Sequence, residues 1–275
     1  MERMSAEQGK ELPDARSRVD GWAEGWRDHG AIVVLLDFDG TLAPIVERPE
    51  SVGIPPATRS AVERLIACEG AHVSIVSGRG LADVRARARL EGIAYAGNHG
   101  MEIEGHGLEQ VHPEAAAARP QLERVIEIIE KPLSRIPGAI VEDKHLTLSI
   151  HYRLVVRALV ERVREVVLDA AGSVDGLRVT EGKEVLEVRP DVDWHKGRAV
   201  DFLVKNLSPP SGTPILYIGD DRTDEDAFEA LREREGGEGI IVTDEAKPST
   251  AALSRLKAPE EVAELVDLLV ERGPC

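Results

Sequence analysis

The chain predicts an α/β protein: a Rossmann-like, doubly wound parallel sheet with a smaller α+β domain inserted into it. Three observations predict this. Short runs that are apolar on both faces, as strands buried in a parallel sheet must be, alternate with amphipathic helical patterns. This β-α-β-α-β order breaks off near residue 113 and resumes as α-β-α-β-α from residue 191. The stretch between them reads α-β-β-α-β-β, an antiparallel sheet with two helices on one face.

The elements follow in order. Residues 1–28 are charged and carry no apolar h-region, so they read as a partly disordered arm rather than a signal peptide, with a short helix around Trp22 to Asp28. AIVVLLD (31–37) is the first buried strand. PATRSAVERLIACEG (56–70) is a helix, with Pro56 near its start and Gly70 past its end. AHVSIVSG (71–78) is a second strand, LADVRARARL a second helix and IAYAG (93–97) a third strand. In the insert, residues 114–190, QLERVIEIIEKPLSRI (121–136) is helical, AIVEDK and HLTLSIHYR form a hairpin, VVRALVERVREVVLDAAG is a long amphipathic helix, and LRVTEG and KEVLEVRP form a second hairpin. HKGRAVDFLVKNL (helix), PILYIGD (strand), DEDAFEALRERE (helix), GIIVT (strand) and PEEVAELVDLLVER (helix) complete a core of residues 29–113 plus 191–275. LSPPSGTP (207–214) is a surface loop.

Composition narrows the function classes. The 275 residues include 50 acidic and 34 basic ones, a formal net charge of −16. That balance argues against nucleic acid or an anionic membrane as the main partner. No apolar run approaches the roughly 20 residues needed to span a bilayer. With only Cys68 and Cys275, a disulfide framework is not expected, which fits a reducing cytosol and a cytoplasmic protein.

In an open α/β sheet, ligands sit beyond the carboxyl ends of the strands. Here those ends are unusually polar. The first strand runs into Asp37, Asp39 and Thr41, the second into Ser77, Gly78 and Arg79, and PILYIGDD into Asp220 and Asp221 with Asp224 behind them. If these strands are neighbours, as many as five carboxylates converge, and like charges so close cannot all stay ionised uncompensated. A hard divalent cation resolves this, and Mg²⁺ suits carboxylates plus phosphate oxygens. Lys196, opening the returning helix, supplies a second cation. Singly, each piece has an ordinary reading: a DxD turn, a capped helix start, a solvated lysine. An EF-hand loop is excluded because Leu42 stands at the sixth position from Asp37. No Walker A or dinucleotide glycine motif is present. The ordinary readings leave the order and the shared strand-end placement unexplained.

That quartet of DFDGT, VSGR, the lysine of HKG and GDDRTDED resembles the haloacid dehalogenase-like (HAD) superfamily of phosphotransferases. GNHGMEIE (97–104), VEDKHLTLSIHYR (141–153), GKEVLEVRP (182–190) and GDDRTDEDAF (219–228) are similar to the trehalose-6-phosphate phosphatases within it. The resemblance covers nearly all of the chain after residue 30. It implies a HAD-like core with a cap domain. Asp37 is then the nucleophile that forms an aspartyl-phosphate, and Asp39 the acid and base. Mg²⁺ is held by Asp37, the backbone carbonyl of Asp39 and Asp220, with Asp221 and Asp224 supporting the metal shell or Lys196. Thr41, Ser77, Gly78 and Lys196 hold phosphoryl oxygens. The substrate implied is trehalose 6-phosphate, in functional coupling to a trehalose-phosphate synthase. Arg79, Asn98 and His99 are implied as substrate contacts.

The insert carries a parity signal of its own. In KEVLEVR, Lys183, Val185, Glu187 and Arg189 share one face, and Glu184, Leu186 and Val188 the other. Leu186 and Val188 suit packing on the helices, which turns Lys183, Glu187 and Arg189 outward. In HLTLSIHYR, Leu146, Leu148, Ile150 and Tyr152 likewise pack inward. The family pattern then makes Glu142, Lys144, Arg153, Lys183 and Glu187 the sugar contacts. Two departures are visible: the family often has glycine where His145 stands and a hydrophobic residue where Asn98 stands. The catalytic quartet leaves two other readings open, a phosphatase of the same architecture for sucrose phosphate or mannosyl-3-phosphoglycerate, and a non-catalytic sugar-phosphate-binding regulator.

Overall fold

The computed structural model describes residues 11–45, 52–245 and 249–275. It divides into a larger unit, Met1–Glu109 with His195–Cys275, and a smaller one, Gln110–Trp194. The smaller unit therefore extends beyond the expected 114–190 at both ends. Its two connecting segments are brought together by a ring contact between His112 and Trp194 at 5.0 Å, which neither segment discloses alone.

The first half of the chain supplies α1 (Val19–His29), β1 (Ile32–Leu36), α2 (Pro56–Ala67), β2 (Ala71–Val76), α3 (Leu81–Ala88), β3 (Ala94–Gly97), β4 (Glu102–Gly105) and β5 (Leu108–Val111). The smaller unit holds α4 (Pro113–Ala117), α5 (Arg119–Leu133), β6 (Ile140–Asp143), β7 (Leu148–His151), α6 (Arg157–Gly172), β8 (Leu177–Gly182) and β9 (Val185–Pro190). The chain returns through α7 (Lys196–Leu207), β10 (Ile215–Gly219), α8 (Glu225–Arg232), β11 (Gly237–Val242), β12 (Ser254–Leu256) and α9 (Glu260–Arg272).

The large sheet has the order β12-β11-β10-β1-β2-β3-β4-β5. β1 pairs in parallel with β10 on one side and β2 on the other. The chain leaves β1 toward β2 and returns to its opposite edge only after the insert, so β1 lies at the topological switch point, where the crevice of such sheets forms. Its side chains alternate between layers. Ile32, Val34 and Leu36 join the core containing α1, α2 and α9, while Val33 and Leu35 join the one containing α7 and α8. In the smaller sheet, β6-β7-β9-β8, every neighbouring pair is antiparallel. Leu148, Ile150, Leu186 and Val188 pack with residues of α5 and α6, as the strand parity predicts.

Two expectations are corrected. The N-terminal arm, expected to be partly disordered, is folded from residue 11; its first ten residues lie outside the described ones. Asp14 caps a 3₁₀ turn over Ala15–Arg18, and α1 buries Val19, Trp22, Ala23 and Trp26, an i, i+3, i+4, i+7 stripe that the surrounding charge obscures in sequence. The backbone N–H of Arg255 in β12 donates to the Pro13 carbonyl at 3.0 Å, and Trp22 Nε1 donates to the buried Glu238 at 3.1 Å. The cysteines are the second correction. Cys68, just past α2, and Cys275, after α9, form a disulfide. Packing of α2 on α9 brings their Cα atoms to 4.8 Å across a sequence separation of 207, which the count of two cysteines could not foretell. The bridge removes the cysteine argument for a reducing compartment.

Candidate active site

The carboxyl ends of β10, β1, β2 and β3 lie side by side, and each delivers a polar segment. Beyond β1, the N–H of Asp37 donates to the carbonyl of Ile218 in β10 at 2.8 Å, so β10 holds the start of the loop. The loop then turns sharply: Gly40 has φ +85° and its N–H reaches the Ala43 carbonyl at 2.7 Å. A Cβ at Gly40 would collide with the Asp220 carboxylate, so glycine is required both for the turn and for the approach of the two segments.

Lys196, the first residue of α7, is 3% exposed and donates at 2.7 Å to Asp37 Oδ1 and at 2.7 Å to Asp224 Oδ1. Asp224 is completely buried and accepts from four donors. Tyr217 Oη donates to Oδ1 at 2.6 Å, and the N–H groups of Asp220 and Asp221 donate to Oδ2 at 3.0 and 2.9 Å. Its lone pairs are therefore spent on positioning. Asp221 is engaged locally, accepting from the Arg222 N–H at 2.6 Å and closing a capping box with Asp224.

Carboxylate oxygens of Asp37, Asp220 and Asp224 all lie within 4.8 Å of one another, a grouping that could hold a metal ion. Burial pushes the Asp37 carboxyl well above the usual carboxylate range; Lys196 works against this, and Asp224 and Asp220 add to it. Burial would lower the Lys196 ammonium, but Asp224 and Asp37 outweigh it and hold it raised and protonated. Two buried carboxylates, Asp37 and Asp224, thus share one buried ammonium, with the partly buried Asp220 beside them. A divalent cation fits this donor set. Thr41 is fully buried, and its hydroxyl meets no hydrogen-bond partner among the described residues. A buried hydroxyl of this kind is suited to an oxygen ligand.

On the β2 side, Ser77 Oγ accepts from the Arg79 N–H at 3.1 Å, and the His99 N–H donates to the Ser77 carbonyl at 2.8 Å. Arg79, expected to contact substrate, grips Asp39 with two nitrogens, at 2.6 and 2.7 Å, and Asp83 with a third at 2.8 Å. Its guanidinium also lies over the Phe38 ring at 5.5 Å. Arg79 thus orients Asp39. The arginine and Asp83 stand four apart at the start of α3, a spacing the sequence displays but does not explain. Asn98 and His99, beyond β3, both adopt φ near +50°, rare for side-chain-bearing residues and characteristic of functional positions. The Asn98 amide donates to Glu102 at 2.9 Å, and the His99 ring packs where a Cβ on Gly78 would lie, so Gly78 makes room for it.

Within the smaller unit, Glu142, Ser149 and Glu187 stand in cross-strand register on the sheet face opposite the helices. Glu142 meets His151 Nε2 at 2.8 Å, Lys144 pairs with Glu187 at 3.5 Å, and Arg153 donates to Glu184 at 2.7 Å and to the Lys183 carbonyl at 3.2 Å. Arg153 and Lys183 therefore meet at the hairpin tip, one strand end away from Glu142. His145 has φ +71°, the left-handed conformation that favours glycine, which is what the family often places there.

A doubly wound sheet with an aspartate-bearing loop at its switch point, a buried lysine and an acidic cluster beside it has the architecture of the HAD-like fold. A structure of the C-terminal domain of a Candida albicans trehalose-6-phosphate phosphatase superposes with a TM-score of 0.80 at 24% identity, covering 96% of this chain and 99% of that one. A haloacid dehalogenase-like hydrolase from Bacteroides thetaiotaomicron superposes at 0.59 with 15% identity, covering 86% and 98%. At these identities the likeness shows the fold. In sequence, the trehalose-phosphatase family model matches residues 35–260. Trehalose-phosphate phosphatase B of Arabidopsis thaliana is 40% identical over 87% of this chain and 66% of its own length. A trehalose-phosphate phosphatase of Mycobacterium avium is 40% identical over 96% and 68%. The chain spans about two thirds of the length of these relatives. It belongs to the trehalose-phosphatase family.

Proposed function

We propose that the chain hydrolyses trehalose 6-phosphate to trehalose and inorganic phosphate, a reading supported by its likeness to trehalose-phosphate phosphatases. The observation that carries this reading is the buried Asp37–Lys196–Asp224 set at the end of β1. Asp37 attacks phosphorus; its new O–P bond forms as the bond to the sugar oxygen breaks. Asp39 gives its proton to that oxygen and, in the second half, takes one from the water that cleaves the aspartyl-phosphate. Both Asp39 oxygens accept from Arg79 in the structure, so Asp39 must leave this grip to reach the sugar oxygen. Thr41, Ser77 and Lys196 receive the phosphoryl oxygens, with Lys196 offsetting their charge.

Mg²⁺ would be held by Asp37, Asp220 and the Asp39 carbonyl, and when bound it would neutralise phosphoryl and carboxylate charge together. Asp221 and Asp224 act here as supports, Asp221 through the turn and Asp224 through Lys196. Glu142, Lys144, Arg153, Lys183 and Glu187 supply the sugar contacts, with Asn98 and His99 lining the entrance from β3. A trehalose-phosphate synthase is the source of such a substrate and hence the functional partner.

Phosphate release from trehalose 6-phosphate, sucrose 6-phosphate and mannosyl-3-phosphoglycerate, each in Mg²⁺ and in excess EDTA, tests the reading. The expected result is turnover of trehalose 6-phosphate that EDTA abolishes and Mg²⁺ restores. Preference for another of these phosphates, or undiminished turnover in chelator, would overturn the substrate or the metal.

A further inference from the structure

One buried titratable group has no part in this scheme. Tyr217 lies in the middle of β10, fully buried, on the face toward α7 and α8. Its ring packs edge-on against Phe228 at 5.8 Å, a contact phenylalanine would make equally well. Its hydroxyl is another matter. Burying a hydroxyl costs free energy unless a partner receives it, and here the partner is Asp224 Oδ1 at 2.6 Å, the same oxygen that takes Lys196 at 2.7 Å.

We propose that Tyr217 is a positioning residue for the phosphoryl-transfer step: its hydroxyl occupies one side of Asp224 Oδ1, leaving Lys196 a single approach to that oxygen and aiming it at Asp37. This rests on the proposed hydrolase activity. The count of donors and acceptors carries it. An sp² carboxylate oxygen has two lone-pair directions. On Oδ2 they are taken by the Asp220 and Asp221 N–H groups, and on Oδ1 by Lys196 and Tyr217. With all four filled, the carboxylate cannot rotate without losing a buried bond. Lys196 carries three N–H donors; one goes to Asp224 and one to Asp37, and the third remains for a phosphoryl oxygen. Removing the tyrosine hydroxyl frees a lone pair on Oδ1, toward which a second ammonium hydrogen can turn, withdrawing Lys196 from the phosphoryl group.

Tyr217→Phe tests this. The expected result is a kcat for trehalose 6-phosphate lowered roughly 10-fold, smaller than the loss of a direct charge-stabilising donor, with KM within about 2-fold of wild type. Affinity for orthovanadate, a phosphoryl mimic read by fluorescence or calorimetry without turnover, should fall with kcat. Phe228→Leu, which disturbs the same ring packing but removes no hydroxyl, should keep kcat and vanadate affinity while lowering Tm. Unchanged kcat and vanadate affinity in Tyr217→Phe, or an equal loss of both in Phe228→Leu, would overturn the assignment, as would a Tyr217→Phe protein that does not fold. A wild-type protein inert toward trehalose 6-phosphate would instead overturn the proposed substrate, a separate outcome.

Discussion

The polar residues at the end of β1 and those on the small sheet away from its helices differ in how they are held. Lys196 and Asp224 are 3% and 0% exposed, and both Asp224 oxygens are fully engaged within one unit. On the small sheet, the members of the pairs Glu142–His151 and Arg153–Glu184 reach solvent, Arg153 and Glu184 at 28% and 56% of their side chains, whereas Lys144 and Glu187 are largely buried. A saturated buried network permits one arrangement, because any displacement leaves a charge unpaired out of water. Exposed pairs such as Arg153–Glu184 exchange partners at little cost, since water replaces what is lost. The first kind of site suits a fixed reaction, the second suits hydroxyl groups that arrive and leave.

Breaking the rigid side should have the larger effect. Asp37→Asn keeps the shape of the side chain and removes the attacking charge, so turnover should fall by roughly 1,000-fold or more while the circular dichroism spectrum is retained. More than about a tenth of wild-type turnover would rule out covalent catalysis through Asp37. The exchangeable side should respond selectively. Glu142→Ala or Glu187→Ala should lower kcat/KM for trehalose 6-phosphate roughly 10- to 100-fold, the loss of one or two hydrogen bonds to a charged group. A small aryl phosphate, which offers these residues no sugar, should be hydrolysed at near wild-type rate. Equal losses on both substrates would mean damage to the fold, and no loss on either would make these glutamates a solvated sheet face.

The smallest expected effect on catalysis comes from the disulfide, far from both groups of residues in sequence pattern and in role. Cys275→Ser, or reduction, releases the staple between the ends of α2 and α9. Chain-entropy reasoning for a long loop puts its contribution at about 5 kcal/mol as an upper figure, which corresponds to a Tm lowered by roughly 10–20 °C. kcat at 25 °C should not change. A thiol titration finding two free cysteines in the unreduced native protein would contradict the bridge itself.

The sequence by itself determined whatever is written in short-range pattern. Strands apolar on both faces, the interruption near residue 113 and the parity that sends Leu186 and Val188 to the core are periodicities of two or 3.6, readable within a window of a dozen residues. So are the three polar strand ends, the lysine that opens the returning helix, and the order in which they come. α1 shows the limit of such reading: the sequence predicts a short helix around Trp22 to Asp28, but that it starts at Val19 and buries Trp22 and Trp26 shows only in the packing. Tertiary structure alone decided which distant groups meet. The adjacency of β10, β1 and β2 brings Lys196 to Asp37 across 159 positions, and helix packing brings Cys68 to Cys275 across 207. Which carboxylates Arg79 meets, Asp39 and Asp83, is likewise decided by how the loops after β1 and β2 pack. Tyr217 reads as one more buried strand residue until its hydroxyl is found on Asp224. The reason is physical: periodicity is a property of the local backbone, whereas the partner of a buried polar group is set by strand order and layer packing, which bring together atoms that no local spacing relates.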